Sequence, residues 1–148
     1  PTVQELQFGN TGCGDEGMAA IAAALLSKDM QRLRALACDR NPMIGAPGWT
    51  ALAAVCPRLP ALRTLQAFQC TGMGDAGVAA LGAGLPAARL FERLNIIDCD
   101  IGAAGGQTLI KLVAKCPRLA YLHAHSNRFS DAVLSRLQIE VRMIRDFA

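Results

Sequence analysis

Two stretches look at first like nucleotide-binding loops. Gly12-x-Gly14-x-x-Gly17 and Gly72-x-Gly74-x-x-Gly77 each place three glycines between a strand-like and a helix-like segment, the spacing that lets backbone amides approach a pyrophosphate. A dinucleotide fold uses that loop once, with an acidic residue about 20 positions further on. Here the loop recurs, and a third place keeps only Gly102 and Gly105. The glycines are therefore read as corners of a repeat, and no cofactor is expected.

Six cysteines (Cys13, Cys38, Cys56, Cys70, Cys99 and Cys116) lie far apart. No two have the close spacing of a zinc knuckle, and a catalytic thiol would need a histidine brought near it by the fold. Free thiols in a reducing compartment are the expectation. His123-x-His125 puts two imidazoles on one side of a strand, since alternate residues share a face. Two ligands fall short of a zinc site, even with Asp98 and Asn95 on the neighbouring strand, so a solvated surface is the simplest reading and a pH-sensitive contact the sharper one. With both histidines on one strand and no paired carboxylates, no enzyme is expected.

The chain of 148 residues is 52% hydrophobic and 18% charged, with mean hydropathy +0.27, which suits one domain (1–148) with a substantial core. Fifteen Lys and Arg against twelve Asp and Glu leave +3, too weak and too dispersed a field to point to nucleic acid. The longest apolar run, Met18 to Leu26, falls well short of the roughly 20 residues a membrane span needs, so no insertion is expected. No charged leader opens the chain, and Pro1 in place of an initiator methionine reads as a processed or excised segment.

The elements that would position these residues repeat. Val3, Leu33, Leu62, Phe91 and Leu119 open five units, at spacings of 30, 29, 29 and 28 residues. Phe91-x-x-Leu94-x-Ile96-x-x-Cys99 and Leu119-x-x-Leu122-x-Ala124-x-x-Asn127 show the fullest copies. Such a period implies one supersecondary unit stacked five times, over about 3–32, 33–61, 62–90, 91–118 and 119–148. The first half of each unit alternates as a short strand does (Leu36-Ala37-Cys38, Leu94-Asn95-Ile96). Gly14, Gly45, Gly74 and Gly102 then mark a tight turn, and Asp15, Asp75 and Asp131 stand where a carboxylate can cap the helix that follows. The second half has helical spacing, as in Met18, Ile21, Ala22 and Leu25 or Val78, Leu81, Gly82 and Leu85.

This Leu-x-x-Leu-x-Leu-x-x-Asn/Cys pattern, its following glycine and its period resemble leucine-rich repeats of the long, ribonuclease-inhibitor-like kind, over essentially the whole chain. The resemblance implies an α/β right-handed solenoid of five βα repeats, parallel strands on the concave face and helices on the convex one. It also implies an intracellular, most often cytoplasmic, protein-binding role. Thr11, Asn41, Cys70, Cys99 and Asn127 would form an inward ladder bonding backbone groups at the turn. Units two and three carry an extra residue after Asn41 and Cys70, so their turns should bulge. The chain starts on a strand without a polar cap, so further repeats or a partner are expected over Val3 and Phe8. In the last helix Gln138 and Glu140 replace small apolar residues, as in an end cap, with Arg136, Arg142 and Arg145 on solvated faces.

On such a scaffold the concave face is mostly polar, with Phe68 and Ile97 in one column between Asp39 and His125, and Tyr121 and Arg93 alongside. Large apolar groups rimmed by charges and amides are how a binding hot spot looks. Phe68, Ile97, Tyr121, Arg93, His123, His125, Asp39 and Arg40 are accordingly the candidate contacts for a protein partner in a non-enzymatic scaffold. Three other roles belong to the same family. A structural subunit of a larger complex would have its first edge covered by a neighbour. A substrate arm of a ubiquitin ligase would account for the resemblance of the two Cys-Pro-Arg-Leu phrases, at Cys56 and Cys116, to such arms. A GTPase-activating module would use Arg40 or Arg128 to stabilise charge on a transferring phosphate.

Overall fold

The structure is a computed structural model and describes residues 2–28 and 30–147, side chains included except that of residue 147. Each unit contributes one three-residue strand: β1 Glu5–Gln7, β2 Ala35–Ala37, β3 Thr64–Gln66, β4 Arg93–Asn95 and β5 Tyr121–His123. They form one parallel sheet in chain order, and Leu6, Leu36, Leu65, Leu94 and Leu122 lie opposite one another in register. Each strand is followed by a helix: α1 Asp15–Ser27, α2 Ala46–Val55, α3 Gly74–Gly84, α4 Ala103–Lys115 and α5 Asp131–Phe147. After α2 and α3 the chain tightens into short 3-10 turns, Cys56–Arg58 and Leu85–Ala87, where Pro57 and Pro86 stand near the ends of the α-helices. The five-unit α/β solenoid expected from the sequence is the observed architecture.

Leu36, Leu65 and Leu94 are almost wholly covered between the sheet and the helix row, and Trp49 and Phe91 are the largest buried side chains. Leu6 and Leu122, in the first and last strands, are only half-buried because each has a neighbour on one side alone. Val3 is 42% exposed on the first edge. Among the described residues no helix is long and apolar enough to cross a membrane.

The strands are short because the chain turns sharply after each. Asn10, Arg40, Gln69, Asp98 and Ser126, each four residues past the central leucine, have φ of 54–59°. Backbone pairing runs up to this point, as in Asn10 N–H to Asp39 O (2.8 Å) and Gln69 N–H to Ile97 O (2.8 Å), and the left-handed residue then swings the chain out of the sheet. This moves the corner away from the expected glycines. Gly14, Gly45 and Gly102 have extended backbones and stand as N-caps, whereas Gly12 and Gly74 do occupy the left-handed region. The extra residue of units two and three bulges as expected: Met43 is 71% exposed, while Ile44 and Met73 turn inward to the place Ile101 holds in unit four. At Gly72 a methyl would overlap the Pro42 carbonyl, so that bulge presses directly on the next unit.

Two sets of side chains lock unit to unit, in opposite directions. The ladder reaches back. Asn41 accepts through Oδ1 from Thr11 N–H (3.2 Å) and Cys13 N–H (3.0 Å), and donates through Nδ2 to the Phe8 and Cys38 carbonyls. Asn127 repeats the pattern on unit four, and the Cys70 and Cys99 thiols donate to the Cys38 and Ala67 carbonyls. Thr11 departs from the expected ladder: it is exposed and its hydroxyl donates to Phe8 O in its own loop.

The aspartates reach forward, which corrects the expected capping. Asp15 accepts no bond from the start of its own helix; its Oδ1 accepts from Gly45 N–H (2.7 Å) and Gly48 N–H (2.9 Å) at the start of α2. Asp75 likewise accepts from Gly102 N–H (2.6 Å) before α4. The glycine three positions on, Gly48 or Gly105, leaves room for the incoming carboxylate, which a β-carbon would strike. Asp131 stands exposed at the start of α5, the last helix among the described residues.

Candidate protein-binding face

The three columns of the sheet continue outward as expected from the register. Arg93 and Tyr121 are neighbours in the first, Gln66, Asn95 and His123 in the second. Beyond the strands, Arg40 N–H bonds Phe68 O (2.9 Å), Gln69 N–H bonds Ile97 O (2.8 Å) and Asp98 N–H bonds His125 O (3.3 Å), which sets Asp39, Phe68, Ile97 and His125 side by side.

These residues separate into two clusters. In the first, Asp39 is only 7% exposed and its Oδ2 accepts from Arg40 Nε (3.0 Å). The Arg40 guanidinium lies 5.7 Å from the centre of the Phe68 ring, within cation–π range. Asp39 is thus a holder of Arg40 with little surface of its own. Phe68 is half-buried on the face; the core position beside it is filled by Ala67. In the second cluster Arg93 lies 4.8 Å from the centre of the Tyr121 ring, and Tyr121 is 46% exposed. Arg93 and Tyr121, with Leu94, Gln66, Asn95 and His123, line a depression of about 230 Å³. Ile97, half-buried, stands in the Phe68 column, one place from His125, whose Nδ1 is 3.1 Å from Ser126 Oγ.

The six thiols are free, and five of them are buried. Burial pushes Cys56 and Cys99 up to about 12 and Cys116 up to about 11, the reverse of an activated nucleophile. Among the described residues no three His, Cys, Asp or Glu side chains are grouped to hold a metal ion. Of the two arginines weighed for stabilising charge on a transferring phosphate, Arg40 is engaged with Asp39, and Arg128 Nη1 donates to both carboxylate oxygens of Asp100 at 3.0 and 3.2 Å. That pairing raises the Arg128 guanidinium above its ordinary value. Sequence reasoning placed the columns correctly from the leucine register. It missed the Asp39 to Arg40 to Phe68 chain, which depends on the left-handed turn at Arg40.

No family model matches the sequence. Over 140 residues the chain is 29% identical to the ribonuclease inhibitor of Sus scrofa, a match that takes in 93% of this chain and about 30% of the length of that curated relative. Among solved structures, leiomodin-1 actin-binding site 2 superposes with a TM-score of 0.76 at 15% identity, over 99% of this chain and 83% of that one. The tropomodulin C-terminal domain of Caenorhabditis elegans gives 0.74 at 12% identity, over 97% and 85%. These likenesses agree with the repeat, the parallel sheet and the helix row: the chain has the fold of a leucine-rich-repeat solenoid and is similar in sequence to the ribonuclease inhibitor.

Proposed function

We propose that the chain is a non-enzymatic scaffold that holds a partner protein against its concave strand face. The observation that carries this reading is the pairing of Phe68 and Ile97 in one column, between Arg40 and His125, with Tyr121, Arg93 and His123 further along the same face. A stacked scaffold with both arginines already laid on aromatic rings loses little conformational entropy on binding, so a modest number of contacts gives useful affinity. The inhibitor relative and an actin-binding structural neighbour support protein binding as the general role.

A crosslinking pull-down that compares wild type with Ile97→Arg tests it. The substitution places a charge in that column without touching the core, and specific crosslinks should fall at least tenfold. An unchanged crosslink pattern with a folded variant removes the concave-face reading.

A further inference from the structure

Resting on the concave-face reading and giving it a partner chemistry, we infer that the face takes an extended segment of a partner protein, acidic at one end and apolar at the other, laid along β4. The outward side chains of β4 and its continuation set the pattern. They alternate as Arg93, Asn95 and Ile97, while Leu94 and Ile96 between them are buried. The neighbouring strands repeat the order: Tyr121 stands beside Arg93, Gln66 and His123 beside Asn95, and Phe68 beside Ile97. The face over β3 to β5 therefore runs from a cation through amides to an apolar end. A segment lying along it meets the same three zones at its own alternate residues. The acidic and apolar ends fall about 13 Å apart, four residues at about 3.3 Å each.

The first zone is built for a carboxylate. The Arg93 guanidinium lies 4.8 Å from the centre of the Tyr121 ring and among the described residues makes no ion pair. Stacking holds it by its flat face and leaves the N–H groups at its edge for two carboxylate oxygens. No acid lines the hollow of about 230 Å³ beside it. Asn95 lines that hollow with its Oδ1 spent on Ile97 N–H (3.3 Å) and its Nδ2 donors unspent among the described residues. Arg40, the other arginine laid on a ring, differs because its Nε already serves Asp39. Glu92, the residue before Arg93, is paired with Arg63 and lines a separate hollow with Ala120 and Arg145. Glu5 shares the Arg93 column but stands three strands away, about 14 Å. Asp98 follows Ile97 at the far end, where it opposes a second carboxylate and so fixes which end of the segment is acidic. The hollow is centred on β4, with a strand on either side, so the seat does not depend on an edge of the sheet.

The probe is the blocked pentapeptide Glu-Thr-Ser-Thr-Leu, whose alternate residues are acidic, polar and apolar, titrated into the isotope-labelled full chain and followed by NMR. Controls carry Gln or Lys in place of Glu, and Thr-Ser-Glu-Thr-Leu halves the spacing. The Glu peptide should shift the Arg93 Nε–H, the Asn95 side-chain amide and the Ile97 amide together. It should bind about fivefold more tightly than the Gln peptide, a preference that shrinks as salt is raised. Arg93→Gln should abolish the preference, whereas Lys111→Gln, an equal loss of charge on the convex α4, should leave it intact; both sites are exposed, and the amide spectrum confirms folding. Equal binding of the Glu and Gln peptides, an undiminished preference in Arg93→Gln, equal binding of the short-spaced peptide, or no binding at millimolar peptide would each overturn the proposal. In the crosslinking pull-down, Arg93→Glu should lose the partner as Ile97→Arg does. Crosslinks kept by Arg93→Glu but lost by Ile97→Arg would overturn the acidic seat and leave the concave-face reading standing.

Discussion

If the aspartates clamp each unit to the one after it, replacing them should have unequal costs that follow the stacking. Asp15→Ala removes two charge-assisted bonds, to Gly45 N–H and Gly48 N–H, and leaves the second amide in a buried residue without an acceptor. Losing a helix cap costs about 0.5–2 kcal/mol. An orphaned buried amide adds about 1 kcal/mol, so the sum is about 1.5–3 kcal/mol. Asp75→Ala loses one bond, to Gly102 N–H, and should cost about 1–2 kcal/mol. Asp131→Ala loses only the attraction of an exposed carboxylate to the first turn of α5, about 0.3–0.5 kcal/mol. Urea unfolding read by Trp49, the single tryptophan and fully buried in α2, measures all three. With an m-value of about 2 kcal/mol/M, the midpoint should fall by about 0.8–1.5 M for Asp15→Ala and by about 0.2 M for Asp131→Ala. Were each aspartate instead to cap its own helix, the three losses would be alike at about 1 kcal/mol. Equal costs, or an Asp131 variant as unstable as the Asp15 variant, would refute the forward clamp.

Three further perturbations probe the packing. Gly84→Ala should cost about 3 kcal/mol or more in the same assay, because a methyl there would overlap the Ala53 backbone and force α3 away from α2. Gln69→Asn should raise stability by about 0.5 kcal/mol, since the residue is exposed at φ 56° and asparagine tolerates that conformation better than glutamine. For the thiols the sign follows from direction: Cys56, Cys99 and Cys116 lie above the unfolded value of about 9, so folding favours the protonated form. Their contribution is complete below about pH 9 and is lost as pH rises toward 11 or 12; the urea midpoint should hold from pH 6 to 8 and decline from pH 9 to 11, less steeply in Cys99→Ser.

The period, the strand register and the sheet order were legible because one side-chain pattern recurs five times, and a slip of one residue in any strand would turn Leu36, Leu65 or Leu94 out of the core. The columns of the concave face follow from the same register and were read correctly. What escaped was backbone conformation at residues that give no compositional sign. Arg40, Gln69 and Asp98 adopt left-handed φ because pairing to the next strand holds their amides in place, while the conspicuous glycines nearby are mostly extended. Glycine composition therefore pointed one loop too late.

The aspartates were misassigned for a related reason. A carboxylate beside a helix start is a cap by local rules, but in a stack the nearest free amides belong to the following unit, and only the glycine three residues into that unit, Gly48 or Gly105, betrays the approach. Read together, Asp15 with Gly48 and Asp75 with Gly105 define a two-unit module inside the one-unit repeat: units one and two are clamped, units three and four are clamped, and Asn41 and Asn127 reach back within and beyond those pairs. Rigidity of the concave face then has an identifiable source. The columns that carry Phe68, Ile97 and Arg93 are held from behind by the ladder and at the helix row by the carboxylates, so loosening Asp75 should disturb the Arg93 hollow from a distance, through the seating of α4 on α3.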